Sequence, residues 1–172
     1  MVKRLIHYEA AFEDFLRQRG TPYVAVDEAK KALFAGAALK SFDFVVYSST
    51  GQNLLVDVKG RKFPYVSGGP TGQKRFWENW VERADLDDLG RWQEVFGRDF
   101  QAMIVFAYLL GEPGLAAQFT DVHLFRQDWY GFVAVSVEIY AQHARLRSPA
   151  WQTVSMPTRL FREMLAPVSS YL

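Results

Sequence analysis

Apolar and polar positions alternate in several distinct registers along this chain. In "RLIHYEAAFEDFLRQRG", Leu5, Tyr8, Phe12, Phe15 and Leu16 recur at helical spacing, and Gly20 is placed to stop the helix. "TPYVAV" and "SFDFVVYS" read as strands, "STGQN" as a hairpin turn and "LLVDVKG" as a third strand. Between the first two, "DEAKKALFAG" reads as a short helix or structured loop. "FPYVSGGPTGQ" is rich in Gly and Pro and predicts a long loop. "DLDDLGRWQEVFG" opens with acids, carries Leu86, Leu89, Trp92 and Phe96 on one face and closes on Gly97, which predicts a second helix.

"QAMIVFAYLL" is apolar throughout, as expected of a central strand covered on both faces. "TDVHLF" and "GFVAVSVEIYA" predict a hairpin with its turn at 128–131. "WQTVSM" reads as a further strand, and "PTRLFREML" as a last helix with Pro157 at its first turn. The expected order is one mixed sheet with helices on its faces. No linker divides residues 1–172, so a single domain is expected.

Composition fits a globular core: 49% of the 172 residues are hydrophobic and 23% charged. The absence of cysteine excludes disulfides, zinc thiolates and iron–sulfur clusters. The N-terminus resembles neither a signal peptide nor a membrane span, and a cytoplasmic location is expected. Net charge is only +1, but it is unevenly spread. Residues 28–75 carry eight Lys or Arg against three acids, residues 76–139 four against eleven, and residues 140–172 four against one. A local basic block is the footprint of a polyanion partner, although a solvated basic face would look the same.

The chemistry is concentrated in "NLLVDVKGRK". Asp57 and Lys59 share one face of the predicted strand, about 6.6 Å apart, while Val58 points into the core. A hairpin from the preceding strand brings Asp43 beside Asp57. On the first helix, with Leu5 as origin and about 100° per residue, Glu9 falls at roughly 40°, on the margin of the apolar stripe. Glu13 lies further out and Asp14 outside. His7 falls on the solvent side. Carboxylates brought together this way repel each other, and a hard divalent cation on oxygen ligands resolves the conflict. The expected site is therefore Mg²⁺ (or Mn²⁺) held by Asp43, Asp57, the Val58 carbonyl and Glu9, with Lys59 alongside.

This ordered set of helix Glu, strand Asp and then Asp-x-Lys resembles the PD-(D/E)xK nuclease superfamily, and most closely the archaeal Holliday-junction resolvases. The matching residues are Glu9 with Gly20 after it, Asp43, Asp57 and Lys59. Phe42 stands where the family name has proline, and Asp57 where the resolvases have Glu. Separately, "HYEAAFE" at 7–13 resembles a bacterial family named for its HYExAFE motif.

The superfamily resemblance spans about residues 5–110. It implies an α/β (α+β), restriction-endonuclease-like core in the order αβββαβ, followed here by a C-terminal β-hairpin and helix. It also implies Mg²⁺-dependent phosphodiester hydrolysis of nucleic acid, DNA first, with Glu9, Asp43, Asp57 and Lys59 catalytic. Action on two strands would favour a homodimer.

Lys30, Lys31, Lys40, Arg61, Lys62, Lys74 and Arg75 would contact phosphates, and Phe76 or Trp77 would stack on bases unless they pack into the core. Glu13 and Gln93 are secondary candidates. "RLRSPAW" at 145–151 offers two arginines and a Trp for phosphate or partner contacts. Two other readings stay open: a non-catalytic nucleic-acid-binding module on the same fold, and a protein-interaction domain.

Overall fold

In the computed structural model, residues 6–27, 32–34, 37–67 and 74–172 are described, with side chains placed for 7–27, 38–66 and 77–172. The chain opens with α1 (Ile6–Gln18), followed by β1 (Tyr23–Ala25), β2 (Ala32–Phe34), β3 (Ala37–Leu39), β4 (Phe44–Val46) and β5 (Asn53–Phe63). Short strands β6 (Tyr65–Ser67), β7 (Lys74–Phe76) and β8 (Val81–Glu82) precede α2 (Arg83–Phe96) and the long strand β9 (Phe100–Leu110). The rest comprises β10 (Asp121–Phe125), β11 (Asp128–Ser136), α3 (Val137–His143), β12 (Arg145–Ser148), β13 (Thr153–Ser155), α4 (Thr158–Met164) and β14 (Ala166–Pro167).

The main sheet runs β1-β4-β5-β9-β11-β10, with β14 added alongside β11. Only the β5–β9 pair in it is parallel. This is the expected mixed sheet flanked by helices, with the order αβββαβ traced by α1, β1, β4, β5, α2 and β9. Alternation along β9 makes two cores. Ala102, Ile104, Phe106, Tyr108 and Leu110 face α2, α3 and α4, while Met103, Val105 and Ala107 face α1. A strand apolar on both faces is what a covered central position requires.

Gly20 ends α1 with φ +67°, a conformation that suits glycine. Several expectations are corrected. Residues 32–34 pair with 37–39 as a β-ladder rather than a helix, and the rest of that stretch lies outside the described residues. The predicted loop after Phe63 contains strand β6, with 68–73 outside the description. The β10–β11 turn falls at Arg126 and Gln127, both at positive φ, rather than at 128–131. β11 stops at Ser136, whose hydroxyl caps α3 by accepting from the Ile139 N–H at 3.2 Å. A run that looked like one long strand is therefore a strand followed by a helix.

The C-terminal segment adds a second small sheet, β12-β13-β8, joined to the start of α2. Asn79 fastens it. Its side chain accepts from the Met156 N–H at 2.9 Å and donates to the Met156 carbonyl at 3.2 Å, and its own carbonyl accepts from Tyr140 Oη at 2.5 Å. Among the described residues no helix is long and apolar enough to cross a membrane.

Candidate active site

The sheet forks at Asp43. β4 pairs with β5 as far as Phe44 opposite Val56, and the Asp43 N–H still donates to the Val56 carbonyl at 2.9 Å. Beyond it the chain turns toward α2, because Phe42 packs edge-on against Trp92 and Phe96. The turn is pinned by the Lys40 N–H donating to Asp88 (3.0 Å) and Trp92 Nε1 donating to the Lys40 carbonyl (2.8 Å). Past Val56, no strand among the described residues pairs with this edge of β5 at Val58. There the buried Asp43 carboxylate takes the place of a strand, and its Oδ2 accepts the Val58 N–H at 2.6 Å. In a strand the N–H and C=O of one residue point the same way, so the Val58 carbonyl faces this edge too.

Asp57 and Lys59 project from β5 toward α2, as their alternation demands. Lys59 Nζ lies 2.8 Å from Asp57 Oδ2 and 2.7 Å from Asp85 Oδ2 in the first turn of α2. Burial alone would lower the Lys59 pKa. The two carboxylates more than offset that and hold it above the ordinary lysine value, so Lys59 is a cation. Asp85 is raised by burial, but Lys59 and Lys40 outweigh this and its pKa falls below the usual carboxylate value. Lys40 Nζ completes the network, 3.0 Å from Asp85 and 2.5 Å from Glu82.

Glu9 and Glu13 approach from the other side of the sheet. With Ala10, Val26 and Phe44 they line a cleft that ends at Asp43. Asp57 instead lines a narrow cleft with Lys40, Asp85 and Asp88. The four expected residues are divided: Glu9 and Asp43 line one cleft, while Asp57, ion-paired with Lys59, lines the other. Among the described residues no three acidic or histidine side chains form one metal-holding group. Glu13 accepts from Tyr23 Oη at 2.8 Å.

The acids lining the two clefts match Mg²⁺ in donor type but not in number at one point. The donors are all oxygen, and Mg²⁺ is commonly held by one or two carboxylates with waters completing the shell. Asp43 shares its cleft with Glu9 and Glu13, and Asp57 shares its cleft with Asp85 and Asp88.

Of the seven expected phosphate contacts, Lys40, Arg61 and Lys62 have described side chains. Lys30 and Lys31, and the side chains of Lys74, Arg75 and Phe76, lie outside the described residues. Lys40 is committed to Glu82 and Asp85. Arg61 is half-buried, donating to the carbonyls of Gly60 and Trp80 with its guanidinium 4.0 Å from the Trp80 ring centroid. Lys62 is exposed. Trp77 packs against Phe63, Tyr108 and Phe119, a core position rather than a stacking surface. Gln93 clamps α2 to β9 through Oε1, which accepts the Ala102 N–H at 2.6 Å.

His7 is a further correction. It is half-buried, with Nδ1 2.9 Å from Tyr130 Oη and its ring tilted against Tyr8, centroids 3.9 Å apart. Tyr8 in turn covers Gly60. Much of the "HYEAAFE" stretch therefore packs α1 onto the sheet.

Asp85 is the participant that sequence reasoning passed over. Acids in a first helical turn ordinarily complement the helix dipole. The available signal was position: Asp85, Leu89, Trp92 and Phe96 fall within about 60° of one another on the helix, so this acid heads the buried stripe.

No family model matches the chain and no curated protein matches it. The HYExAFE likeness is therefore carried by the motif alone. Among solved structures, the chain is similar to Archaeoglobus fulgidus Hjc, a Holliday junction resolvase from an archaeal hyperthermophile. The identity is 14%, the match covers 96% of this chain and 90% of that one, and the TM-score is 0.47.

Proposed function

We propose that this protein is a metal-dependent nuclease of the PD-(D/E)xK type acting on DNA, with its active site at the β4–β5 fork. The observation that carries the reading is the Asp43–Val58 hydrogen bond. It ties the Asp43 carboxylate to the backbone of the residue that lies between Asp57 and Lys59 in sequence, which supports a shared site. Asp43, Asp57 and the Val58 carbonyl would hold Mg²⁺, with Glu9 behind Asp43. A bound Mg²⁺ would polarise the phosphate and lower the pKa of an attacking water.

The chain's own groups divide the remaining work. Lys59, a fixed cation, donates hydrogen bonds to charge developing on the phosphoryl oxygens. It cannot serve as a base while Asp57 and Asp85 keep it protonated. Asp85 and Asp57 aim the ammonium, and the Asp43 carboxylate is oriented by the Val58 N–H.

The test is cleavage of branched, duplex and single-stranded DNA with Mg²⁺ or Mn²⁺, for the wild type and for Asp57→Asn and Lys59→Met. Metal-dependent cleavage by the wild type, lost in both variants, is expected. No cleavage of any substrate with either metal, or undiminished cleavage by Lys59→Met, would sink the assignment. A second reading, a nucleic-acid-binding module without catalysis, is favoured by the commitment of Lys59 to two carboxylates. It predicts DNA binding with no cleavage.

A further inference from the structure

A second concave site lies on the same face of β5, beyond Lys59, where the C-terminal segment meets the core. Its walls include Tyr65, Trp77, Glu78, Trp80 and Arg147, around a cleft of about 220 Å³. Tyr65 is 46% exposed, so its ring is free to be covered.

Trp80 is held in place from several directions. Its indole Nε1 donates to Glu78 at 2.6 Å, and its carbonyl accepts from Arg61. Two guanidiniums flank the ring: Arg61 at 4.0 Å from its centroid and Arg147, from β12, at 5.2 Å. Arg61 lies two residues beyond Lys59 on the same strand face, so Lys59, Arg61, Trp80 and Arg147 form a row leading from the fork to the C-terminal hairpin. Arg162 of α4 adds a third cation, 5.8 Å from the Trp77 ring. The segment supplying Arg147 and Arg162, residues 140–172, has four cations against one acid.

Fixed aromatic faces combined with arginines are how proteins hold single-stranded nucleic acid without reading its sequence. Bases stack on the rings and cations follow the backbone. We infer that this cleft is a stacking site for an unpaired base of single-stranded nucleic acid. Tyr65 supplies the exposed ring face, Trp80 anchors the two arginines beside it, and Arg147 contacts the adjacent phosphate. The segment after residue 110 thereby gains a role: it builds the outer wall of the cleft. The choice of nucleic acid as ligand rests on the nuclease reading above, whereas the cleft does not depend on catalysis at the fork.

The test uses the full chain in EDTA, so that no cleavage intervenes, with labelled oligo-dT and a blunt duplex read by anisotropy and tryptophan emission. Oligo-dT is expected to bind more tightly than the duplex and to quench the emission. Tyr65→Ala and Arg147→Ala should each weaken oligo-dT binding about tenfold and duplex binding less than about twofold. Tyr65→Phe, which keeps a ring, should bind as the wild type does. Arg126→Gln, which removes a cation at the far β10–β11 turn, should change neither ligand selectively.

Equal loss on both ligands, or no loss, in the two alanine variants would overturn the inference. So would emission that responds to a proline-rich peptide but not to oligo-dT. Selective oligo-dT binding without Mg²⁺-dependent cleavage would sink the nuclease reading and leave the cleft standing. Cleavage indifferent to the cleft variants, with no selective binding, would do the reverse.

Discussion

Lys59 Nζ sits between two carboxylates, 2.8 Å from Asp57 on its own strand and 2.7 Å from Asp85 on α2. The three side chains are 15–20% exposed, so these charges meet in a poorly hydrated space where loss of one member is felt by the others. Asp85→Asn should therefore lower stability at neutral pH by about 2 kcal/mol, near the low end of what breaking a buried pair costs, because some water still reaches it. Urea denaturation of the two proteins at pH 7 measures the difference.

The same substitution has a pH signature. The folded-state pKa of Asp85 is depressed below its ordinary 3.8. Its stabilisation is thus fully present above pH 3.8 and is lost as pH falls through the lower, folded value. The gap between wild type and Asp85→Asn should be constant from pH 7 to 5 and shrink below about pH 4. A gap that persists undiminished at pH 2 would show that the carboxylate's charge is not its source.

Gly60 follows Lys59 and lies under Tyr8, whose Cδ2 would stand 2.1 Å from an added Cβ. The obstruction is the base of a ring packed on Tyr130, not a flexible tip. Gly60→Ala should cost about 1–3 kcal/mol through overpacking, and Tyr8→Leu in the same chain should recover part of it. Thermal melts of the two singles and the double variant measure the coupling.

Asn79 is buried and engages both backbone groups of Met156. Asn79→Ala leaves a buried N–H and C=O unsatisfied, at about 1–3 kcal/mol. The loss should be local: amide exchange should accelerate at Met156 and along β13 while β9 stays protected. Uniform acceleration would mean that the C-terminal segment does not open separately from the core.

A ligand that binds only the folded state raises its melting temperature. Millimolar Mg²⁺ should stabilise the wild type and leave Asp43→Asn and Asp57→Asn unmoved. A shift that survives both substitutions would place the ion elsewhere.

Period-two geometry was enough to put Asp57 and Lys59 on one strand face, and the short 49–53 turn to set β4 beside β5, where Asp43 accepts the Val58 N–H. Gln93 and Trp77 were legible only as polar and aromatic residues. Their tasks, an amide clamp on Ala102 and core packing, depend on partners distant in sequence. Asp85 escaped because one carboxylate at a helix start has an adequate local explanation. The end of β11 escaped because "VAVSVEIYA" keeps its apolar content through Ser136, and only the capping hydroxyl marks the change. The division of the acids between two clefts was illegible, since helical angles place Glu9 toward the sheet without saying which side of the β5 edge it meets.

The parallel pairing of β5 with β9 sets an order of events during synthesis. Asp43, Asp57 and Lys59 leave the ribosome well before the strand that must lie against β5 through Leu110, and Asp85 comes in between. Because such crossover pairs close late and over long stretches of sequence, a nascent chain ending before Leu110 carries the residues of the fork without the sheet that arranges them. The arrangement of these residues therefore waits for the central strand to be complete, and a chain truncated before it would lack the fork altogether.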